Sequence, residues 1–522
     1  MDRPANADPV PGPRPVRGAG GRPAARVAAG ILLTRLLGLV RERVFAFYFG
    51  LGIEADAFRA ALRIPNVIRN LLGEGTLSAS FIPVYAGLVE RGRHREAREL
   101  AGAIASWLAL LVVVASALGV LLAPVVTDAV ALGFDRETRA LTIILVRILF
   151  PMAGVMVMSA WCLGILNSHR RFFLSYAAPM LWNLAQIGVL LALGASLGGA
   201  DLVDALAWGA LGGAVAQFLV QVPSTLRAAG RVRLGWRVTE AVRRVFRGWL
   251  PVVFGAGVLQ ISSIVDTQFA SFLGAGAVAN LGYAQLVALL PISLFGISVA
   301  AVALPELSRD VAGDDHGALR VRLGRATERV LYFMIPSAVV FLAFAPHVVG
   351  PLFQTGAFGA GDTRAVARVL MAFGVGLPAR GLIRLYASGH YARGDTTTPV
   401  RIATVTVVIS ALLAWLLMRR YGVAGVVLGG SLAAWINVTA NAVTLARRTG
   451  GIVAAAGWRR IGWMGVAALL AASAAAGAGR APWSGLWLTA GTTLGAFSVT
   501  YLILTRGWRL WTDRAPGRTN PT

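Results

Sequence analysis

The chain has 522 residues, 57% of them hydrophobic and only 14% charged, where a soluble protein carries about 25% charged residues. With a mean hydropathy of +0.68, that balance assigns it to the membrane proteins rather than the soluble ones. The net charge is +25 and all 49 basic residues are arginine; they fall in short breaks between apolar runs, which excludes nucleic acid as a partner and points to topology-setting loops that meet anionic membrane lipids.

Residues 1–24, rich in Pro, Gly and Arg, read as a disordered cytoplasmic tail. No short apolar region with a small-residue cleavage site follows them, so they are not a secretory signal. Fourteen segments then have the length and apolarity of a membrane helix, about 20 residues each. They cover about 25–49, 55–89, 98–126, 138–165, 173–198, 202–226, 246–273, 277–308, 326–353, 364–391, 398–418, 422–446, 460–479 and 483–506. Residues 509–522 form a second tail. Arginine is dense at the N-terminus and in every second loop, as at Arg91–Arg98, Arg227–Arg247 and Arg393–Arg401. The alternate loops carry acids, as at Glu54–Asp56, Asp128–Glu137 and Asp201–Asp204. Fourteen spans with both termini in the cytoplasm account for that alternation.

The first two segments hold most of the informative charge. Arg35 and Arg41 fall roughly 14 and 22 Å along the first helix, and Glu42 follows. The second carries Asp56, Arg59, Arg63, Arg69 and Glu74 around Pro65–Asn66. Each charge near a bilayer centre costs about 2.5–3.5 kcal/mol on insertion scales, so these groups face one another or an aqueous cavity. One reading pairs them as structural bridges, such as Arg41–Glu74 or Arg63–Asp56. The reading preferred here is an anion-binding cavity, because Arg outnumbers acid and guanidinium suits bidentate phosphate binding. Pro65, Gly73 and Gly75 should bend segment two, and Pro291, Gly296 and Pro305 segment eight.

Farther along lies a weak internal repeat. Phe49-Gly50-Leu51-Gly52 precedes Asp56 as Leu273-Gly274-Ala275-Gly276 precedes Asn280, and Glu42 matches Asp266, all at an offset of 224. Phe81-Ile82-Pro83 answers Ala303-Leu304-Pro305 at 222. Six spans separate the copies, which implies two six-helix lobes, 25–230 and 231–450, with a substrate site between them. Residues 451–508 supply two further helices outside the repeat. In segment ten Arg380 and Arg384 stand i, i+4 and share a face, adding basic groups from the opposite lobe.

No enzymatic constellation emerges. The five histidines are scattered and fit no metal spacing. Cys162, alone, allows neither an intrachain disulfide nor a Cys-rich metal site. There is no Walker A loop, so transport draws on an ion gradient, the membrane potential or the substrate's own gradient.

Several motifs together resemble the MurJ/MviN flippase family. They are Arg35-Leu-Leu-Gly-Leu-Val-Arg41, Phe49-Gly50-x-Gly52-x-x-x-Asp56-Ala57-Phe58, Arg63-Ile64-Pro65-Asn66-x-x-Arg69 and Gly73-Glu74-Gly75-x-x-Ser78-x-x-Phe81-Ile82-Pro83. Gly164-Ile165-Leu166-Asn167, Leu352-Phe353-Gln354-x-Gly356-x-Phe358 and Tyr391-Ala392-Arg393-x-Asp395-x-x-Thr398-Pro399 extend the match. The resemblance implies an all-α exporter of fourteen helices in the bacterial inner membrane, two lobes plus two helices flanking a groove for a polyprenyl tail. It implies a lipid-linked diphosphate substrate, the peptidoglycan precursor lipid II, and a partnership with cell-wall synthesis machinery. Arg35, Arg41, Asp56, Arg63, Arg69 and Glu74 fall on the family's cavity positions, and Arg384 on a cationic position of segment ten. On this reading Arg35, Arg41 and Arg69 hold the diphosphate, while Asp56 and Glu74 hold the arginines when the site is empty. Coupling would run on membrane potential, H+ or Na+, with Asp266 matching the acid some members use for sodium. Two departures stand out. Leu286 occupies the place of a family arginine after Tyr283-Ala284, which leaves a flippase for another polyprenyl-linked glycan as an alternative. Segment eleven, Ile402–Met418, is almost wholly apolar, which argues against a sodium site. A multidrug antiporter, whose cationic substrates call for an acidic cavity, fits the arginine excess poorly.

Overall fold

In the computed structural model, residues 22–73, 76–230, 232–313, 316–478 and 485–505 are described; the two tails and Glu74 lie outside them. Within that range the chain is helical throughout. The sole β-type pairing among the described residues is a Thr355–Phe358 bridge. Eleven stretches are long and apolar enough to cross a membrane. The other three predicted segments are the ones loaded with charge or broken: α1 (Arg22–Phe49), the run α2 (Ile53–Ala61), α3 (Arg63–Leu72) and α4 (Thr76–Glu90), and α11 (Glu240–Ser271).

Breaks in the helices follow local chemistry. Segment two was expected to bend at Pro65; the helix instead stops at Leu62, and Pro65 sits buried in the first turn of α3, where a missing N–H costs nothing. It stops again at Gly73 (φ −109°, ψ −100°), which packs against Val157 and Ala160 of α7 (Arg136–Ser168) with no room for a side chain. In segment eight, α12 (Ala277–Pro291) runs into a π-helical turn, Ile292–Ile297, before α13 (Ser298–Ala312). Pro291 cannot donate the next helical bond, and the widened turn lets Gly296 lie against Gly381.

Helices α5 (His94–Leu121), α6 (Ala123–Ala131), α7, α8 (Phe172–Ala177), α9 (Pro179–Leu193) and α10 (Gly199–Ala229) gather around α1–α4. Helices α14 (His316–Phe353), α15 (Ala360–Ala392), α16 (Thr397–Tyr421) and α17 (Val423–Thr449) gather around α12–α13. The last pair, α18 (Ala455–Ala478) and α19 (Leu486–Leu504), packs on α14 through Tyr332, Phe344, Met464, Phe497 and Tyr501. Long apolar side chains such as Leu469, Leu488, Leu502 and Ile503 remain exposed on their outer side.

At the acid-bearing end the two halves are sealed together. The Asp56 carboxylate, 1% exposed, accepts the backbone N–H groups of Gly276 and Ala279 at 2.6 Å each. The first turn of α12 has free N–H groups and the positive end of the helix dipole to offer. The glycine-rich tips of the sequence repeat meet here, because Gly276 (φ 80°) lies against the Leu51 carbonyl. Ala357 N–H donates to the Phe47 carbonyl at 2.8 Å, and Gly133 N–H donates to the Ser271 hydroxyl at 3.0 Å. Beneath them Phe45, Phe49, Phe58, Tyr283, Phe353 and Phe358 form one aromatic core.

Candidate functional site

Just inside that seal, α1, α2 and α12 place charges in contact. Glu42 is buried and accepts Arg41 at 2.5 Å and Arg59 at 2.7 Å. The Arg59 guanidinium also lies 4.1 Å over the Tyr283 ring and 5.3 Å from Phe45, while Arg41 lies 4.6 Å over Trp182 of α9. Aromatic faces hold a guanidinium without neutralising it. So one carboxylate is shared by two cations, and one positive charge is left over.

A second group joins α3, α11 and α15. Arg63 Nε donates to the Thr267 hydroxyl at 2.9 Å, and Asp266 feels both Arg63 and Arg380 electrostatically. Arg380 stacks against Phe373 at 5.2 Å, and its Nε has no hydrogen-bond partner. Deeper along α3, Arg69 reaches the Met156 sulfur at 3.4 Å, a weak acceptor, and its Nε is likewise unpartnered. These arginines are neither fully buried nor fully exposed. Five guanidinium groups, all partly buried, therefore face two carboxylates.

The structure corrects three expectations. Arg41 pairs with its neighbour Glu42, and the alternative bridge from Arg41 to Glu74 falls outside the described residues. Arg63 does not pair with Asp56, and Asp56 does not hold the arginine cluster: the amides at the start of α12 take both of its oxygens. Arg384 does not join Arg380 inside; it is exposed, while Arg380 turns toward Asp266. Arg35 is exposed on α1, outside both groups. Leu286, at the family's arginine position, is half-buried against the main core.

Sequence reasoning named Arg59 among the charges of segment two and Arg380 as a basic group from the opposite lobe, but gave neither a role in holding the substrate. The signal for Arg59 was present: it stands one turn before Arg63, on the same charged helix. Its partner Tyr283 lies 224 residues on and could not be inferred from spacing. Outside the membrane-spanning segments, Asp395 caps α16 by accepting Thr398 N–H at 3.0 Å and Arg448 at 2.5 Å. The bonds from Thr398 and then Arg448 hold its carboxyl below the usual carboxylate range. Among the described residues no three His, Cys, Asp or Glu side chains come together as a metal site.

A polytopic helical protein with two packed halves, sealed at one end around an arginine-rich interior, has the build of an alternating-access membrane transporter. The same fold occurs in a solved structure of lipid II flippase MurJ in an inward closed conformation (TM-score 0.79, 23% identity, covering 94% of this chain and 99% of that one). It also occurs in an inward-facing multidrug resistance MATE transporter of the MOP superfamily (TM-score 0.68, 15% identity, 82% and 98%). The family model "Lipid II flippase MurJ" matches residues 45–496, and the chain belongs to that family. Relatives include the probable lipid II flippase MurJ of Rhizobium meliloti, 33% identical over 81% of this chain and 80% of that protein. The lipid II flippase MurJ of Burkholderia cenocepacia is 33% identical over 78% and 80%.

Proposed function

We propose that this multi-pass membrane protein moves lipid II, the polyprenyl-diphosphate-linked peptidoglycan precursor, across the bacterial inner membrane by alternating access. The observation that carries the reading is the excess of guanidinium over carboxylate at Arg41, Arg59, Arg63, Arg69 and Arg380, in a chain of the lipid II flippase family. A diphosphate supplies the missing negative charge and accepts bidentate bonds from arginine. In this mechanism fourteen spans with both termini in the cytoplasm form lobes 25–230 and 231–450. The headgroup enters from the Arg-rich side, where Arg35 and Arg384 are exposed, and meets Arg41 and Arg69 first. The tail stays outside, along the apolar faces of α18 and α19. Breaking the Asp56 contacts to α12 releases the seal and exposes the headgroup on the other side.

Protein side chains supply all of this chemistry, so no cofactor and no bond-making step enter the scheme. Coupling is assigned to membrane potential or proton rather than sodium, because segment eleven, Ile402–Met418, is almost wholly apolar and carries no acid. Delivery of the flipped precursor points to the cell-wall synthesis machinery as partner. Leu286 in place of the family's arginine favours, as a second reading, a different polyprenyl-linked glycan. The test is rescue of a flippase-depleted bacterial strain. Arg41→Ala and Arg69→Ala should each fail to restore growth while the protein accumulates normally in the membrane; full rescue by both would overturn the assignment, and unaltered activity without sodium is expected.

A further inference from the structure

The acid-bearing end, the outer one by the positive-inside rule, holds a charge that the interior does not use. Arg43 stands two residues beyond Arg41 on α1, and two residues turn a helix by roughly 200°. The two guanidinium groups therefore point to opposite sides: Arg41 to Glu42 and Trp182, Arg43 across the seam to the second half. Arg43 is half-buried and, among the described residues, has no carboxylate within ion-pair distance. A cation roughly 9 Å inside the end of a membrane helix is costly to keep without a partner.

Its partners are carbonyls. Nη1 of Arg43 donates to the Pro351 carbonyl at 2.5 Å and to the Leu352 carbonyl at 3.0 Å, in the last turn of α14. The last carbonyls of a helix lack intrahelical donors and carry the negative end of its dipole. Here the Thr355 N–H, which a longer helix would give to Pro351, donates to the Phe358 carbonyl instead. The start of α19 buttresses the same turn: Leu486 leaves Gly350 little room for a side chain, and the Trp487 ring lies 5.4 Å from Arg43. Arg43 is thus a cap, supplied by the first half, on a helix end of the second. Asp56 does the same with the opposite sign, an acid of the first half on the amides that open α12. Among the described residues no carboxylate and cation of 25–230 and 231–450 lie within ion-pair distance of each other, so charges on helix ends clasp the halves.

We propose that Arg43 is a gating residue: its cap on α14 holds the outer mouth shut, and α1 parts from α14 when the cap releases. The proposal rests on the alternating-access reading above. A cap on two carbonyls suits a gate better than a buried salt bridge, because its release strands one cation near the surface and no second charge. Trp487 lies under the same guanidinium, so release frees α1 from α19 as well. Arg43 takes no part in holding the headgroup, since it points away from the interior arginines.

The test is the rate at which a membrane-impermeant maleimide labels Val349→Cys in spheroplasts, in the full-length protein with its one native cysteine removed by Cys162→Ala. Val349 is fully buried just before the capped turn, and cysteine nearly keeps its volume, so labelling reports the parting of α1 from α14. Arg43→Gln should raise the rate about tenfold, the scale of one lost charge-assisted hydrogen bond. Arg43→Lys, which keeps the charge and its donors, should stay within about threefold of the parent, and the exposed control Arg419→Gln should keep the parent rate. Parent-rate labelling of Arg43→Gln overturns the proposal; should that variant not accumulate, Arg43→Met, which keeps the apolar stem, is judged by the same rate. Labelling of Arg43→Lys as fast as that of Arg43→Gln would remove the charge from the account and also overturns it. Lipid II binding separates a gate from a ligand group: Arg43→Gln should bind like the parent, and binding about tenfold weaker with unchanged labelling would place Arg43 in the headgroup site and sink the gate. Labelling needs no substrate, so failure of the parent to bind lipid II would count against the proposed function alone.

Discussion

Glu42 is where a single atom group decides the most. It is buried among two arginines and an aromatic core, and removing one partner of such a group leaves an uncompensated charge. Glu42→Gln, which leaves both Arg41 and Arg59 without a counter-charge, should therefore lower stability by about 3 kcal/mol, read as a fall in the detergent-solubilised protein's melting temperature. Adding Arg59→Met to that variant should recover part of the loss, because one of the two orphaned cations is gone. Asp56 acts differently, as a buried cap on another helix. Asp56→Asn keeps the shape but gives up the charge-assisted bonds to Gly276 and Ala279, at about 1.5–3 kcal/mol. Asp395 gives a pH signature. Its folded carboxyl titrates below the ordinary value of 3.8 because Thr398 and Arg448 stabilise the ionised form. Its stabilising contribution is complete above that ordinary value and is lost as pH falls below it. Asp395→Asn should melt earlier than the parent at pH 7, with the gap closing as melts are repeated below pH 4.

Among the elements, the seal at the acid-bearing end sets which side of the interior is open. Gly276 has φ 80° and abuts the Leu51 carbonyl, so Gly276→Ala should cost about 1–3 kcal/mol in strain and loosen the seal. A cysteine placed at Ala279 should then react faster with a membrane-impermeant thiol reagent than in the parent; an unchanged rate would separate the seal from this glycine. Hydrophobic runs and turn chemistry made the long helices legible in the sequence. The short ones were less so: α2, α3 and α4 read as one segment because their charges still alternate with apolar residues, and the break at Leu62 falls where Pro65 has no N–H to offer the Ala61 carbonyl. Pro291 announced a bend, but the π-helical form of that bend depends on Gly296 meeting Gly381 across the fold.

For the whole molecule, the arginine excess was legible because each buried charge is costly enough to need a reason. The pairing was not. Glu42, Arg59 and Tyr283 come together from α1, α2 and α12, and only the folded seal chooses Gly276 and Ala279, rather than Arg63, as the partners of Asp56. The repeat at an offset of 224 anticipated that its two glycine-rich tips are equivalent, and the structure brings them into contact. The central claim is that this interior grips a phosphorylated lipid headgroup. It is tested most directly by titrating the purified protein with lipid II and with a headgroup-free polyprenyl diphosphate. The account predicts that lipid II binding falls at least about tenfold in Arg41→Ala/Arg69→Ala, an interaction of at least 1.4 kcal/mol, with the melting temperature preserved. Undiminished lipid II binding by that variant would contradict it.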